Sequence, residues 1–294
     1  MDGVTLIVDA GGTKTDWLLT DGRNVSRYRT SGINLALMSK ESVLSVVFSA
    51  SEQMGGSQYA VRQIRYYGAG VTGSSHIIEL DAVLKNVFPG ASVSYGSDLL
   101  AAAEACLGGN AGIVCILGTG SNSGLYDGKK IVSNIRPGGY VLGDEGSGNA
   151  LGRALLSDFI KDILPDSIKD LFRKEYDLTY SEITEKVYRG GNPAGYLASF
   201  APFIFANRGD AYVDGLIDRN LRSFIERSVL PYGPDTPGVA VAGSVGYECR
   251  EDLVRLGREY GLDFIRFVKN PAEAIAAGII DGSGQFCNKK ESNV

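Results

Sequence analysis

The chain has one histidine and four cysteines in 294 residues, and its 29 lysines and arginines are outnumbered by 34 aspartates and glutamates. Each scarcity excludes something. A net charge of −5 leaves no basic footprint, which argues against a nucleic-acid partner. The cysteines (Cys106, Cys115, Cys249, Cys287) lack C-x-x-C spacing and read as reduced, mostly buried thiols of a cytoplasmic protein. No segment reaches the roughly 18 uninterrupted apolar residues of a membrane span. The N-terminus has neither a basic region nor a long apolar stretch, so no signal peptide is expected. Two common phosphate-binding signatures are missing as well: G-x-G-x-x-G is absent, and G-x-x-x-x-G-K-[ST] cannot be fitted around Lys14. What is present suffices for about two domains, with 44% hydrophobic residues to fill two cores.

The most informative segment is Asp9-Ala-Gly-Gly-Thr-Lys-Thr-Asp16, directly after the apolar run Val4–Val8. A buried strand ends in an acid, two glycines follow, and a second strand at Trp17–Thr20 turns back through Asp21-Gly22. Glycines let backbone N–H groups approach an anion closely, and Thr13, Lys14 and Thr15 add donors. An acid at the strand end suits a hydrated divalent cation. An ordinary Gly-rich hairpin turn would use the same residues. A second copy strengthens the phosphate reading: the apolar strand Ile113–Leu117 leads into Gly118-Thr-Gly-Ser-Asn-Ser123, and a further strand runs to Asp127-Gly128. Two such units suggest two similar domains, each offering a phosphate hairpin to a shared cleft.

Along the chain, Val4–Val8, Asp16–Thr20 and Val25–Thr30 read as antiparallel strands, followed by a helix over Lys40–Ser49. Ile64–Tyr67 and Val93–Tyr95 read as strands that flank a helix around Ile77–Val87. From Asp98 a small-residue helix runs to Cys106, and Gly108–Gly112 reads as a hinge. Residues 151–230 are mainly helical by periodicity. Val239–Ala242 is a strand entering Gly243-Ser-Val-Gly246, followed by the helix Leu253–Tyr260, the strand Phe264–Phe267 and the helix Pro271–Ile280. Strands followed by βαβ-like alternation, twice over, indicate α/β architecture with mixed sheets.

These elements resemble a known superfamily. The Asp9–Thr13 hairpin, the Gly118–Ser123 hairpin and the Ala242–Gly246 turn are similar to the two phosphate elements and the adenosine element shared by acetate kinase, sugar kinases, actin and heat-shock chaperones. Within it, Gly139-Tyr-Val-Leu-Gly-Asp-Glu-Gly-Ser147 resembles the N-acetylglucosamine kinase and BadF/BadG-type ATPase family. The resemblance implies two ribonuclease H-like (actin-like ATPase) domains with mixed sheets flanking a nucleotide cleft. One lobe would comprise residues 1–106 plus a C-terminal helix 272–294. The other would comprise 107–271, with a helical insertion at 151–230. ATP and Mg²⁺ are the implied cofactors, an amino sugar the implied substrate, and a homodimer is one assembly it allows.

Carried over residue by residue, the resemblance makes Asp9 the ligand of the Mg²⁺ water shell. Gly11, Gly12, Thr13 and Lys14 become the first phosphate loop, and Gly118, Thr119 and Gly120 the second. Gly243, Ser244 and Glu248, with Ala206, fall where the family holds adenosine. Asn34, Ser121, Asn122, Gly139, Tyr140 and Asp144 fall where it holds the amino sugar, and Asp98 falls on the catalytic aspartate. The chain departs from the mammalian kinase pattern at Gly139–Gly143, which is shorter and has Tyr140 in place of tryptophan. The implied reaction is phosphorylation of N-acetylglucosamine at its 6-hydroxyl. Glucosamine or N-acetylmuramic acid remain alternative acceptors. An activator of an acyl-CoA dehydratase or reductase, or a regulator with no small acceptor, are alternatives of another class.

Phosphoryl transfer to a hydroxyl needs positioning, charge neutralisation and a group to take the proton. His76 lies at a helix start away from the Gly-rich loops, so a carboxylate has to serve. Asp98, at a strand end, fits that duty, although aspartate is also a favoured helix N-cap. Asp144 could accept two adjacent hydroxyl donors, and Glu145 could cap the helix beginning near Gly148. Ala272, Ala276 and Ala277 suit close helix packing.

Overall fold

The computed structural model describes residues 3–11, 14–33, 35, 38–56, 60–68, 71, 74–234 and 237–280. The chain divides into two compact units, Met1–Gly109 with Asn270–Val294, and Asn110–Lys269. Among the described residues no helix is long and apolar enough to cross a membrane.

The first unit opens with β1 (Val4–Ala10), β2 (Lys14–Thr20) and β3 (Val25–Ser31), then α1 (Lys40–Gln53), β4 (Val61–Gly68), α2 (Ser74–Val87), β5 (Ser92–Gly96) and α3 (Asp98–Leu107). Its sheet has the order β3-β2-β1-β4-β5. Strand β1 pairs antiparallel with β2 and parallel with β4, which pairs parallel with β5. The burial of β1 is nearly continuous from Thr5 to Val8, the pattern of a central strand covered on both faces, whereas β3 at the edge is mostly exposed or half-buried. Trp17 is fully buried, and its indole N–H donates to Thr30 Oγ1 at 2.9 Å. The core joins Leu6, Val8, Ile64 and Tyr66 to Val43 and Val47 of α1 and to Leu80 and Leu84 of α2.

The second unit repeats the plan with β6 (Gly112–Leu117), β7 (Ser121–Tyr126) and β8 (Ile131–Ile135). A helical stretch follows: α4 (Gly139–Leu142), α5 (Gly148–Ile160), α6 (Asp166–Glu175), α7 (Tyr180–Tyr188), α8 (Pro193–Ala198), α9 (Ala201–Ala206) and α10 (Ala211–Phe224). Then come β9 (Val239–Ala242), α11 (Ser244–Glu248), α12 (Arg250–Tyr260) and β10 (Phe264–Val268). The order β10-β9-β6-β7-β8 matches the first sheet strand for strand, with β6 again antiparallel to its hairpin partner and parallel to the strand on its other side. The paired strand–hairpin–strand segments of the sequence therefore correspond to one topology built twice. The last helix, α13 (Pro271–Ile280), belongs to the first unit and packs on α3. Ala272 and Ala276 are buried there as helix packing requires, but Ala277 is exposed.

Local signals account for several boundaries. Thr179 and Glu182 form a reciprocal capping box at the start of α7. Asn192 caps α8, whose first residue is Pro193. The core of the second unit centres on Phe172, whose ring lies 4.6 Å from that of Phe159 and 5.3 Å from that of Phe203.

Helices α5 and α8 meet at Gly152, where an added Cβ would lie 1.8 Å from the Leu197 carbonyl oxygen. Alanine would gain about 1 kcal/mol of helix propensity, but it would force two backbones apart. The collision dominates. Gly152→Ala is expected to lower stability by about 1–3 kcal/mol net in chemical denaturation, and a variant as stable as the wild type would refute this contact.

Candidate active site

In the first unit the parallel strands β1, β4 and β5 end side by side, and the register runs from Asp9 to Tyr67 and from Tyr67 to Gly96. Open α/β sheets bind ligands outside such carboxyl ends. Asp9, near the end of β1, and Asp98, just after β5, thus lie at one carboxyl edge of the sheet with β4 between their strands, although 89 positions separate them in the chain. Both are partly buried. Burial, joined by the charges of Asp16 and Asp98, pushes the Asp9 carboxyl up to about 6, with Lys14 opposing. Asp16 lies directly across from Asp9 on β2 and is held by Arg29 Nε at 2.6 Å and Lys14 Nζ at 3.7 Å. Burial likewise raises Asp98, against the bond its Oδ1 accepts from the Leu99 N–H at 2.8 Å.

Asp98 is not the helix cap that its position suggests. Ser97 Oγ accepts from Leu100 N–H at 3.1 Å and caps α3, so the Asp98 carboxylate is one step inside the helix. Capping is already satisfied without it. Gly11 closes the first hairpin by donating its N–H to the Lys14 carbonyl at 2.9 Å, while its own carbonyl accepts from Ile33. The Lys14 side chain is exposed. Gly12, Thr13 and Asn34 lie outside the described residues, and His76 lies in the first turn of α2.

Among the described residues no group of three histidine, cysteine or carboxylate side chains could hold a metal ion directly. Asp9 nevertheless fits a hydrated Mg²⁺. It is a desolvated carboxylate beside two others, and a hard cation that keeps most of its waters needs only one or two protein carboxylates.

In the second unit, the turn after β6 and the turn after β9 border one cavity of about 390 Å³. Gly118, Thr119, Ser244 and Glu248 line it, and the volume suits a small-molecule site. Gly243 makes the junction possible. Its φ is +107°, and its missing Cβ would fall 2.4 Å from the Leu117 carbonyl oxygen. Glu248 is held ionised by Lys269 Nζ at 2.9 Å, which lowers its proton affinity. Ala206 is exposed at the end of α9 and is not among the lining residues. Sequence reasoning missed the rest of the wall: Gly148, Ala198, Ala201, Pro202, Phe205 and Val245. Nothing local marks them, because an apolar run such as Ala201–Ala206 reads as ordinary core.

Ser121 is buried, and Asn122 Oδ1 accepts from Ser123 N–H and from Asn134 Nδ2. Gly139–Leu142 forms a single exposed turn, with Tyr140 half-buried against the core and its carbonyl accepting from Arg153. Asp144 is turned inward and 8% exposed, with φ +59°. The α5 cap is Ser147, whose Oγ accepts from Ala150 N–H; Glu145 instead pairs with Arg227 at 3.3 Å. Cys115 is buried in the middle of β6, and Cys106 in α3.

No family model matches the chain, and no curated protein matches it. Solved structures do. The chain is 35% identical to a Porphyromonas gingivalis protein assigned as an N-acetylglucosamine kinase, over 95% of this chain and 99% of that one, with a TM-score of 0.89. A Chromobacterium violaceum protein with the same assignment is 20% identical over 94% of this chain and 99% of its own, with a TM-score of 0.69. A Streptomyces griseus glucokinase solved with glucose and AMPPNP is 19% identical over 95% and 98%, with a TM-score of 0.57. The last two establish the fold alone.

Proposed function

The chain belongs to the N-acetylglucosamine kinase-like family of actin-fold sugar kinases, and on that premise we propose that it transfers the terminal phosphoryl group of ATP to an amino sugar, foremost the 6-hydroxyl of N-acetylglucosamine. The observation that carries this reading is the cavity in which the second Gly-Thr hairpin meets the Gly243–Gly246 turn, so that a phosphate clamp and a nucleoside-sized space adjoin. Thr119 and Gly120 would give backbone N–H groups to phosphate, Glu248 would accept two hydroxyls of a ribose, and Pro202 and Phe205 would flank the base. The glucokinase relative, bound to AMPPNP, supports ATP as donor.

The chemistry balances simply. The sugar O–H bond breaks as an O–P bond forms, ADP leaves, and the proton passes to a carboxylate. Asp98 is the base in this reading, because desolvation makes its carboxylate a better proton acceptor than an exposed aspartate. Asp9 would hold the hydrated Mg²⁺, which when bound neutralises charge on the polyphosphate. By the resemblance, Gly11, Gly12, Thr13 and Lys14 would contribute to phosphate binding, and Asn34, Ser121, Asn122, Gly139, Tyr140 and Asp144 to binding of the acceptor.

A coupled assay of ADP release over a panel of amino sugars tests this. N-acetylglucosamine is expected to give the highest kcat/KM, above glucosamine and N-acetylmuramic acid, with the phosphate on oxygen 6 by NMR. ADP release that no sugar accelerates would overturn the proposal.

A further inference from the structure

Three hydrogen bonds tie the Gly118–Ser121 hairpin to one neighbouring segment. Gly148 N–H donates to the Gly118 carbonyl at 2.8 Å and Asn149 N–H to the Thr119 carbonyl at 3.0 Å. Ser121 N–H donates to Asp144 Oδ1 at 3.1 Å, and Gly118 N–H closes on the Gly120 carbonyl at 3.0 Å. The amides of Thr119 and Gly120 therefore remain without a protein acceptor among the described residues.

Asp144 is itself held. Asn149, fully buried, donates its side-chain N–H to Asp144 Oδ2 at 2.7 Å, while its own Oδ1 has no protein donor. A buried carboxamide is costly unless hydrogen-bonded, and among the described residues the one side-chain bond this amide makes is to Asp144. The fit is close as well: a Cβ on Gly120 would stand 3.1 Å from both Asp144 oxygens.

We propose that Asn149 is a positioning residue, which aims the Asp144 carboxylate at Ser121 N–H and so keeps the Thr119 and Gly120 amides available to the nucleotide phosphate. This rests on the kinase reading. It also gives Asp144 two duties at once, since a carboxylate has about four lone-pair sites. Two serve Ser121 and Asn149, and the others are left for acceptor hydroxyls. Asn149 thereby couples the phosphate hairpin to the acceptor group.

The test exchanges the partners. Asn149→Asp sets two carboxylates against each other, and calorimetric affinity for AMPPNP with Mg²⁺ is expected to fall at least tenfold. Adding Asp144→Asn restores the pattern, because an asparagine at 144 can accept from Ser121 and donate to an aspartate at 149. The double variant is expected to bind AMPPNP within about threefold of wild type while its KM for the sugar stays raised. That split separates positioning from general stability, which would not restore one ligand and not the other. Should Asn149→Asp fail to fold, rescue by the double variant decides the matter. A folded Asn149→Asp protein that binds AMPPNP like wild type, or a double variant without recovered binding, overturns the inference alone. Wild-type protein that does not bind AMPPNP overturns the kinase reading and this inference with it.

Discussion

Asp98→Asn is expected to lower kcat for sugar phosphorylation by about 10²–10⁴-fold while AMPPNP binding stays near wild type. The side chain is partly buried, Ser97 already caps the helix, and the Oδ1 bond to Leu99 N–H is one an asparagine oxygen can keep. What the substitution removes is the basic carboxylate. Its effect on stability should go the other way. The folded-state proton affinity of Asp98 is raised by burial, so its ionised form opposes folding at neutral pH. That cost fades as pH falls through the folded-state value, and the amide removes it at every pH. Asp98→Asn should therefore unfold at a higher temperature than wild type at pH 7, with the gain shrinking in acid. The same raised affinity places the acid limb of the wild-type kcat profile above the range of an exposed aspartate. Full turnover in the variant would remove Asp98 from the mechanism.

Gly243→Ala should produce the second large loss, in both stability and nucleotide affinity. At φ +107° an L side chain is strained by about 1–3 kcal/mol wherever space allows. Here space does not allow it. The new methyl would stand 2.4 Å from the Leu117 carbonyl oxygen and 2.8 Å from its carbon, which adds a further ~1–3 kcal/mol of overpacking. The hairpin beside Leu117 is the element that must yield, so the AMPPNP dissociation constant should rise at least tenfold. Gly118→Ala is the control for stability: its Cβ would meet nothing within 4 Å, and thermal unfolding should be close to wild type. Equal unfolding temperatures for Gly243→Ala and wild type would refute the argument.

Both lost properties depend on where strands end, and strand ends were largely readable in advance. The apolar runs Val4–Val8 and Ile113–Leu117 and the turns that follow them carry their signal within a few residues, because burial on both faces demands continuous apolarity and a tight turn demands glycine. The repeat of that signal pointed to two sheets of one topology, and the Gly243–Gly246 turn followed a strand as anticipated. The same local reasoning put Asp98 at a helix start and offered it as the cap, a duty that Ser97 takes instead. It gave Glu145 a capping duty that belongs to Ser147.

The local chemistry of the chain thus determined the order of strands and helices, the two glycine hairpins and the acidic strand ends. Only the tertiary structure decided that Pro202 and Phe205 wall the cavity beside Thr119, that Asp144 turns inward to meet Asn149, and that Asp9 is pushed up to about 6. The physical reason is range. Turn and strand preferences act over a few neighbouring residues, whereas desolvation, cavity walls and charge coupling arise between residues that the sheets and helices bring together from distant parts of the chain.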